Sequence, residues 1–305
     1  KAVALLSPTP QNVANVAGQW QPVDSRFVAT DDGYVVRQNS LVSSLSATTS
    51  AALIQQGQSA LGWLPQSLLA LDSNGKPMST LAQPLSIQEE STGAAVQTTV
   101  SADGATLVYA NHWSDATLRE SFVSAPGSLE QSLILARAPQ LADWSQRLRG
   151  WLTGAQPASL ALETEIHLLS GESLWANGAA QTIRFSTAGH SDQRLTLRNA
   201  AGETVLSFAP VFAYEQANPA VRIAGHYEGE LVEPGVWRLR VVTPWTWWAD
   251  PSRAYPAVLD PQVYVEALQP VTYTERVAYS NITDGIYLDG EHEADRAKIA
   301  WGTYL

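Results

Sequence analysis

The chain predicts an all-β fold, antiparallel β-sandwich domains in tandem with one short linking helix. Three observations predict it. Short runs alternate apolar and polar residues with the two-residue period of a strand. Turn signals such as Asp103-Gly104, Pro126-Gly127 and Asn177-Gly178 separate these runs. Only one stretch, near residues 138–151, carries helical spacing. The 305 residues, 45% of them hydrophobic, are ample for a packed core.

Taken in order, Lys1-Ala2-Val3-Ala4-Leu5-Leu6-Ser7-Pro8 is too short in its apolar part for a signal peptide, and Pro8 ends it. It reads as a strand at a mature or truncated start. In Gly18-Gln19-Trp20-Gln21-Pro22-Val23-Asp24 the alternation of Trp20, Pro22 and Asp24 with their neighbours fits a strand edge. Asp31-Asp32-Gly33 is a turn into Tyr34-Val35-Val36; two acids and a glycine lack the further carboxylates of a calcium loop. Residues 40–60 suit either a surface strand pair or an ordered loop. Leu61-Gly62-Trp63-Leu64-Pro65 and Leu68-Leu69-Ala70-Leu71 are apolar runs closed by Asp72-Ser73-Asn74-Gly75. Asp103-Gly104 then joins Val96–Val100 to Thr106–Tyr109, and Pro126-Gly127 joins Leu118–Val123 to Leu129–Leu135.

Beyond residue 136 the texture changes. Leu141, Trp144 and Leu148 fall at i, i+3 and i+7 ahead of Gly150, which predicts a short helix and a domain boundary. Leu162, Thr164, Ile166 and Leu168 share one strand face, and Trp237, Leu239 and Val241 another. Gly225-His226-Tyr227-Glu228-Gly229 is read as a turn. The expected organisation is an N-terminal β domain at 1–137, a linker or short helix at 138–155, a second sandwich at 156–262, and a C-terminal β segment at 263–305. That last piece is either an incomplete domain or a subunit-linking extension.

Charge and composition exclude several classes of function. Lys+Arg 18 against Asp+Glu 29 leaves a net −11, and no basic segment stands out, so neither nucleic acid nor an anionic membrane is an expected partner. No run of about eighteen apolar residues occurs to insert into a bilayer. Cysteine is absent, which removes disulfides, thiolate metal sites and a Cys nucleophile together. Charged residues are 15%, against roughly 25% in an average soluble domain, and hydroxyl and amide residues fill the polar positions. This surface suits an extracellular scaffold or assembled subunit.

Catalytic signals are missing. His112, His167, His190, His226 and His292 show no metal-ligand pairing, and no G-x-S-x-G elbow is present. The chain is therefore expected not to be an enzyme, with no cofactor. The densest carboxylates, Asp284, Asp289, Glu291, Glu293 and Asp295, are the one candidate calcium set, though without EF-hand spacing. The tryptophans carry more information. Trp245, Trp247 and Trp248 lie within four residues and lead into Pro251, Pro256 and Pro261. If the stretch is extended, Trp245 and Trp247 share one face and Trp248 points the other way, toward a following domain. Arg253, Tyr255 and Asp260 are the expected hydrogen-bond clamp of this clasp, with Arg253 offered to a carboxylate.

The segment Arg253-Ala254-Tyr255-Pro256-Ala257-Val258-Leu259-Asp260-Pro261-Gln262 resembles the R-x-Y-P-V-x-I-D-P-T end motif of a β module found in large secreted bacterial surface proteins, of YD/Rhs-repeat, wall-associated or DNRLRE-domain type. Ala257 stands where Val is usual, and Gln262 where Thr is usual. Gly18–Asp24 is similar to the opening of such modules, and Tyr109-Ala110-Asn111 and Leu118-Arg119-Glu120 to their central Y-x-N and L-x-E signatures. The resemblance implies an extracellular, bacterial cell-surface location and a structural, adhesive or delivery-shell role. Strand addition through Ala2–Leu6 and Ile299–Leu305, to other copies or neighbouring domains, is the expected mode of assembly into a fibre or sheath. The alternative is a carbohydrate-binding module that takes polysaccharide on exposed aromatics.

Overall fold

The computed structural model describes residues 12–14, 19–85, 96–141, 156–190, 194–265, 278–279 and 286–287. The protein is nearly all β, and its sheets are antiparallel throughout. Among the described residues one sheet has ten strands and another twelve, and their inner faces meet in a common apolar core. Trp63 of the ten-stranded sheet lies 6.2 Å from Phe208 of the twelve-stranded one, ring to ring, and Tyr227 meets the same phenylalanine at 5.8 Å. Tyr109 closes the gap elsewhere, its hydroxyl donating to the Ser46 carbonyl at 2.6 Å.

The alternation read from the sequence builds these faces. In Ser159–Leu168, Leu160, Leu162, Thr164 and Ile166 are buried, while Glu163 and Glu165 point outward. The turns behave as their residues require. Asp31-Asp32 joins Val28–Thr30 to Gly33–Val36, and Pro126-Gly127 joins Leu118–Ala125 to Ser128–Leu135. Asn177 and Gly178 both take positive φ, 54° and 81°, between Ser173–Ala176 and Ala179–Ala180, as a tight hairpin turn of right-handed strands demands. Residues 40–60 resolve as a strand pair, Val42–Ser46 with Ala52–Gln56.

Three expectations change. First, the segment 138–155 does not separate two cores. Ser159–Leu168 lies between Ser59–Leu71 and Val236–Pro244 in the ten-stranded sheet, and Ser128–Leu135 joins Ala257–Asp260 and Gln262–Tyr264 in the twelve-stranded one. Alternation reveals which face of a strand is apolar but not which distant strand it meets, so the local texture break resembles a domain limit without being one. The helix expected there falls mainly outside the described residues; the part within them, 138–141, is irregular.

Second, the two apolar runs around Pro65 are one strand, Ser59–Leu71. A proline cannot donate to a ladder, and the register shifts opposite it, between Glu163 and Thr164, so a bulge absorbs the missing bond. Third, Gly225–Gly229 is not a turn. Gly225 separates Asn218–Ala224 from His226–Glu233, and Gly229 lies inside the latter strand. There it pairs with Phe185 of the short edge strand Arg184–Ser186. A Cβ at 229 would sit 2.1 Å from Phe185 Cε1, so the ring occupies the space a side chain would need.

That contact generates a prediction. Gly229→Ala is expected to destabilise the fold by about 1–3 kcal/mol through overpacking. The loss should shrink when Phe185→Ala is added, because the clash is with that ring. Urea unfolding midpoints of the three variants measure it.

Candidate functional site

The Trp/Pro stretch is the corner at which the chain leaves one sheet and enters the other. Val236–Pro244 ends in the ten-stranded sheet, and Ala257–Asp260 begins in the twelve-stranded one. Between them Trp245–Trp248 forms a single helical turn, the one helix among the described residues, closed by Ala249 N–H on the Trp245 carbonyl at 3.0 Å. The extended reading of these residues is thereby corrected: after Pro244 the chain must bend, and a helical turn brings all three indoles to the core. Trp245, Trp247 and Trp248 are buried, Trp248 completely. Trp248 does not face a following domain; its Nε1–H donates to Thr243 Oγ1 at 2.9 Å and its ring meets Trp247 edge-on at 4.9 Å.

Arg253 holds this corner, but not with the expected partner. Its guanidinium lies over the Trp247 ring at 4.0 Å, donates through Nε to the Trp247 carbonyl at 3.1 Å, and pairs through Nη1 with Glu215 Oε1 at 2.9 Å. The same Glu215 oxygen accepts Ala254 N–H, and Asp250 lies 3.8 Å from Nη2. Tyr255 donates its hydroxyl to the Trp248 carbonyl at 2.6 Å. Pro256 follows in a cis peptide bond, and its carbonyl accepts Gln216 N–H. The Pro261 carbonyl accepts Gln131 N–H at 2.9 Å.

Asp260 is absent from the clamp because it falls on the outer face of its strand, whereas Glu215 sits opposite Ala257 on the inner face. Asp260 instead neighbours Glu130, and its Oδ1 is buried without a hydrogen-bond partner. Burial, with the Glu130 carboxylate beside it, pushes the Asp260 carboxyl up to about 7.

A second constellation lies between the sheets. Ser50, His112 and Glu120 are fully buried. Ser50 Oγ lies 2.8 Å from His112 Nε2 and 2.7 Å from Glu120 Oε2, and Trp113 Nε1–H donates to the same carboxylate oxygen at 3.3 Å. The other carboxylate oxygen accepts Gln131 Nε2–H, and Gln131 Oε1 in turn accepts Trp63 Nε1–H at 3.1 Å. Burial raises the Glu120 carboxyl to about 7 against three hydrogen bonds that favour its ionised form. Burial also lowers His112 to about 4, which keeps the imidazole neutral. Serine, histidine and acid here differ from a hydrolase triad: the carboxylate bonds the hydroxyl and not the far ring nitrogen, and no outside substrate reaches the buried Oγ.

Sequence reasoning does not reach Ser50 and Gln131. One signal for part of this set is present: Glu120 shares a face with Leu118 and Phe122, and Gln131 with Leu129, Leu133 and Leu135, so each interrupts an apolar stripe. His112 and Ser50 sit in connections, where no periodicity marks them.

The outer face of the ten-stranded sheet is a cross-strand ladder of charge. Arg240 pairs with Glu163 at 2.8 Å, and Arg238 lies 3.5 Å from Glu230 and 3.8 Å from Glu163. Above it opens a groove of about 820 Å³ lined by Lys76, Arg184, Glu228, Glu230, Arg238 and Arg240 among others. Among the described residues no three His, Asp or Glu side chains converge to hold a metal ion. The candidate calcium residues Asp284, Asp289, Glu291, Glu293 and Asp295 lie outside the described residues. No described helix is long and apolar enough to cross a membrane. No family model and no curated protein matches the chain.

Two outcomes follow from the clasp and its neighbour. A double-mutant cycle on Arg253 and Glu215 should give a coupling of about 1–3 kcal/mol in unfolding free energy, while the Arg253 and Asp260 cycle should give none. For Asp260 the folded carboxyl near 7 lies above its ordinary 3.8, so the folded state binds the proton more tightly. Its favourable contribution is complete below pH 3.8 and is lost as pH rises through about 7. Asp260→Asn should remove that part of the decline, read from urea midpoints across this range.

Proposed function

We propose that this chain is an extracellular structural or adhesive protein of a bacterial cell surface, assembled with neighbouring domains or further copies of itself. The observation that carries the reading is the single interwoven core. Both sheets take strands from both halves of a cysteine-free chain, so the protein resists opening without disulfides, as an exported scaffold must. The resemblance of Arg253–Gln262 to the end motif of secreted surface modules supports the same reading, and residues of that segment form the corner between the sheets. The sealed Ser50 hydroxyl supports a role other than hydrolysis of an outside substrate.

Strand addition needs a free edge. Asn218–Ala224 pairs on one side only among the described residues, with Phe212–Glu215, and its side chains are largely exposed. It is the receptor edge for an added strand. Concentrated protein should run above monomer size on size exclusion and show assemblies in negative stain, and Val221→Pro should return it to monomer. Monodisperse monomers at every concentration would sink the assembly reading. Protease added to intact producing cells should degrade the protein if it lies on the surface.

The second reading is polysaccharide binding. The open groove, whose Lys76, Arg184 and Arg238 lie among Glu228 and Glu230, and the exposed Trp20 offer polar and aromatic contacts of the kind a glycan uses. Affinity electrophoresis through a panel of acidic and neutral polysaccharides should retard the protein on at least one member, and retardation in none would count against it.

A further inference from the structure

The buried Ser50, His112, Glu120 and Gln131 cluster contains every part that acyl transfer from an amide requires. Ser50 Oγ is a nucleophile in contact with a ring nitrogen, His112 Nε2, at 2.8 Å. Glu120 holds the Ser50 hydroxyl on one oxygen and the Gln131 amide nitrogen on the other, so nucleophile and leaving group meet on a single carboxyl group. The Gln131 carbonyl oxygen accepts Trp63 Nε1–H at 3.1 Å, a donor placed where negative charge would develop. Ser50, His112 and Glu120 are wholly buried, and Gln131 and Trp63 nearly so. Water, the competing nucleophile, is thus excluded. Ser50 adopts φ 46°, a left-handed backbone that serine seldom occupies and that fixes how the hydroxyl is presented.

We propose that Ser50 and Gln131 form an intramolecular ester that joins the two sheets covalently, with release of ammonia. The Glu120 carboxylate, whose Oε2 already accepts the Ser50 O–H at 2.7 Å, takes that proton as Oγ bonds to Gln131 Cδ, and the carbonyl electron pair moves onto Oε1 beside Trp63 Nε1–H. The tetrahedral adduct then collapses. The Cδ–Nε2 bond breaks with its electron pair on nitrogen, and the Glu120 carboxyl supplies the proton that completes ammonia. Glu120 thereby ends as the carboxylate it began as, and His112 Nε2, 2.8 Å from Ser50 Oγ, positions the hydroxyl oxygen. One hydroxyl and one primary amide thus become one ester and one ammonia, with no external oxidant, reductant or activating reagent. The Glu120 carboxyl, raised by burial to about 7, suits taking up and giving back one proton near neutrality. Ser50 lies in the connection between Val42–Ser46 and Ala52–Gln56 of the ten-stranded sheet, and Gln131 in Ser128–Leu135 of the twelve-stranded sheet. The link would be the covalent inter-sheet tie of a chain without cysteine, and it stands independently of the cell-surface reading.

Intact-mass measurement of the full purified chain tests it. The expected mass is about 17 Da below that of the sequence, the weight of one ammonia, and proteolysis should yield a joined peptide containing Ser50 and Gln131. Brief alkali should split that peptide and leave glutamate at 131, the signature of an ester. Ser50→Ala, a small change at a buried site, should restore the full mass, and Glu120→Gln should slow the loss. The sequence mass with separate Ser50 and Gln131 peptides after prolonged incubation, or a loss mapped to another residue, would overturn the proposal.

Discussion

The pairing of Ser159–Leu168 with Ser59–Leu71 is the constraint on which the rest of the structure depends. All ten residues of the later strand find partners in the earlier one, across about a hundred residues of intervening chain. On its other side the same strand pairs with Val236–Pro244. It therefore stands at the centre of the ten-stranded sheet and forces the two halves of the sequence to share a core. Leu160, Leu162 and Ile166 are completely buried, and each fully buried aliphatic side chain contributes about 1.5–3 kcal/mol relative to exposure. Nothing local could hold so distant a pair; the apolar face of the opposing sheet does.

The Trp/Pro corner follows from that arrangement. A chain that ends a central strand in one sheet and must begin a strand in the other has to turn across the end of the core without leaving polar backbone unsatisfied. Prolines at 244, 251 and 256 stop the strand from continuing, and the indoles fill the volume opened by the bend. The carbonyls of Trp247 and Trp248 find Arg253 and Tyr255. The charge on Arg253 is balanced by Glu215, itself brought inward by the neighbouring strand. A residue of one strand thus completes a corner formed elsewhere, which is why Glu215 could not be recognised from the motif that contains Arg253.

Local features were legible in the sequence and long-range ones were not. Alternation in Leu162–Leu168 and Trp237–Val241, and the Asp103-Gly104 and Asn177-Gly178 turns, translate directly into strands and hairpins because each depends on a few neighbouring residues. The burial of the three tryptophans is a local property too. Pairing partners are not: the bulge at Pro65 that lets a proline lie inside a sheet, and the assignment of Glu215 in place of Asp260, depend on register with strands far away. The polar core was half legible. Glu120 and Gln131 each break an otherwise apolar stripe, a visible anomaly, but their meeting with Ser50 and His112 depends on two connections closing over the same point.

That anomaly has an energetic side. A carboxyl group with no exposed surface, supported by a serine, a glutamine and an indole, gives up its hydration for hydrogen bonds that only replace those made to water. Apolar residues of similar volume at 120 and 131 would continue the leucine stripes on both strands and close the core with no such cost, an exchange that is often neutral or stabilising. Stability alone therefore does not account for placing a nucleophile, an amide and the carboxyl group that bridges them in one dry space. Their arrangement is explained by a reaction among themselves. It happens once, after the sheets have come together, because only the packed sandwich brings Ser50 from one sheet to Gln131 on the other, and the tie it leaves is stronger than any of the contacts that made it.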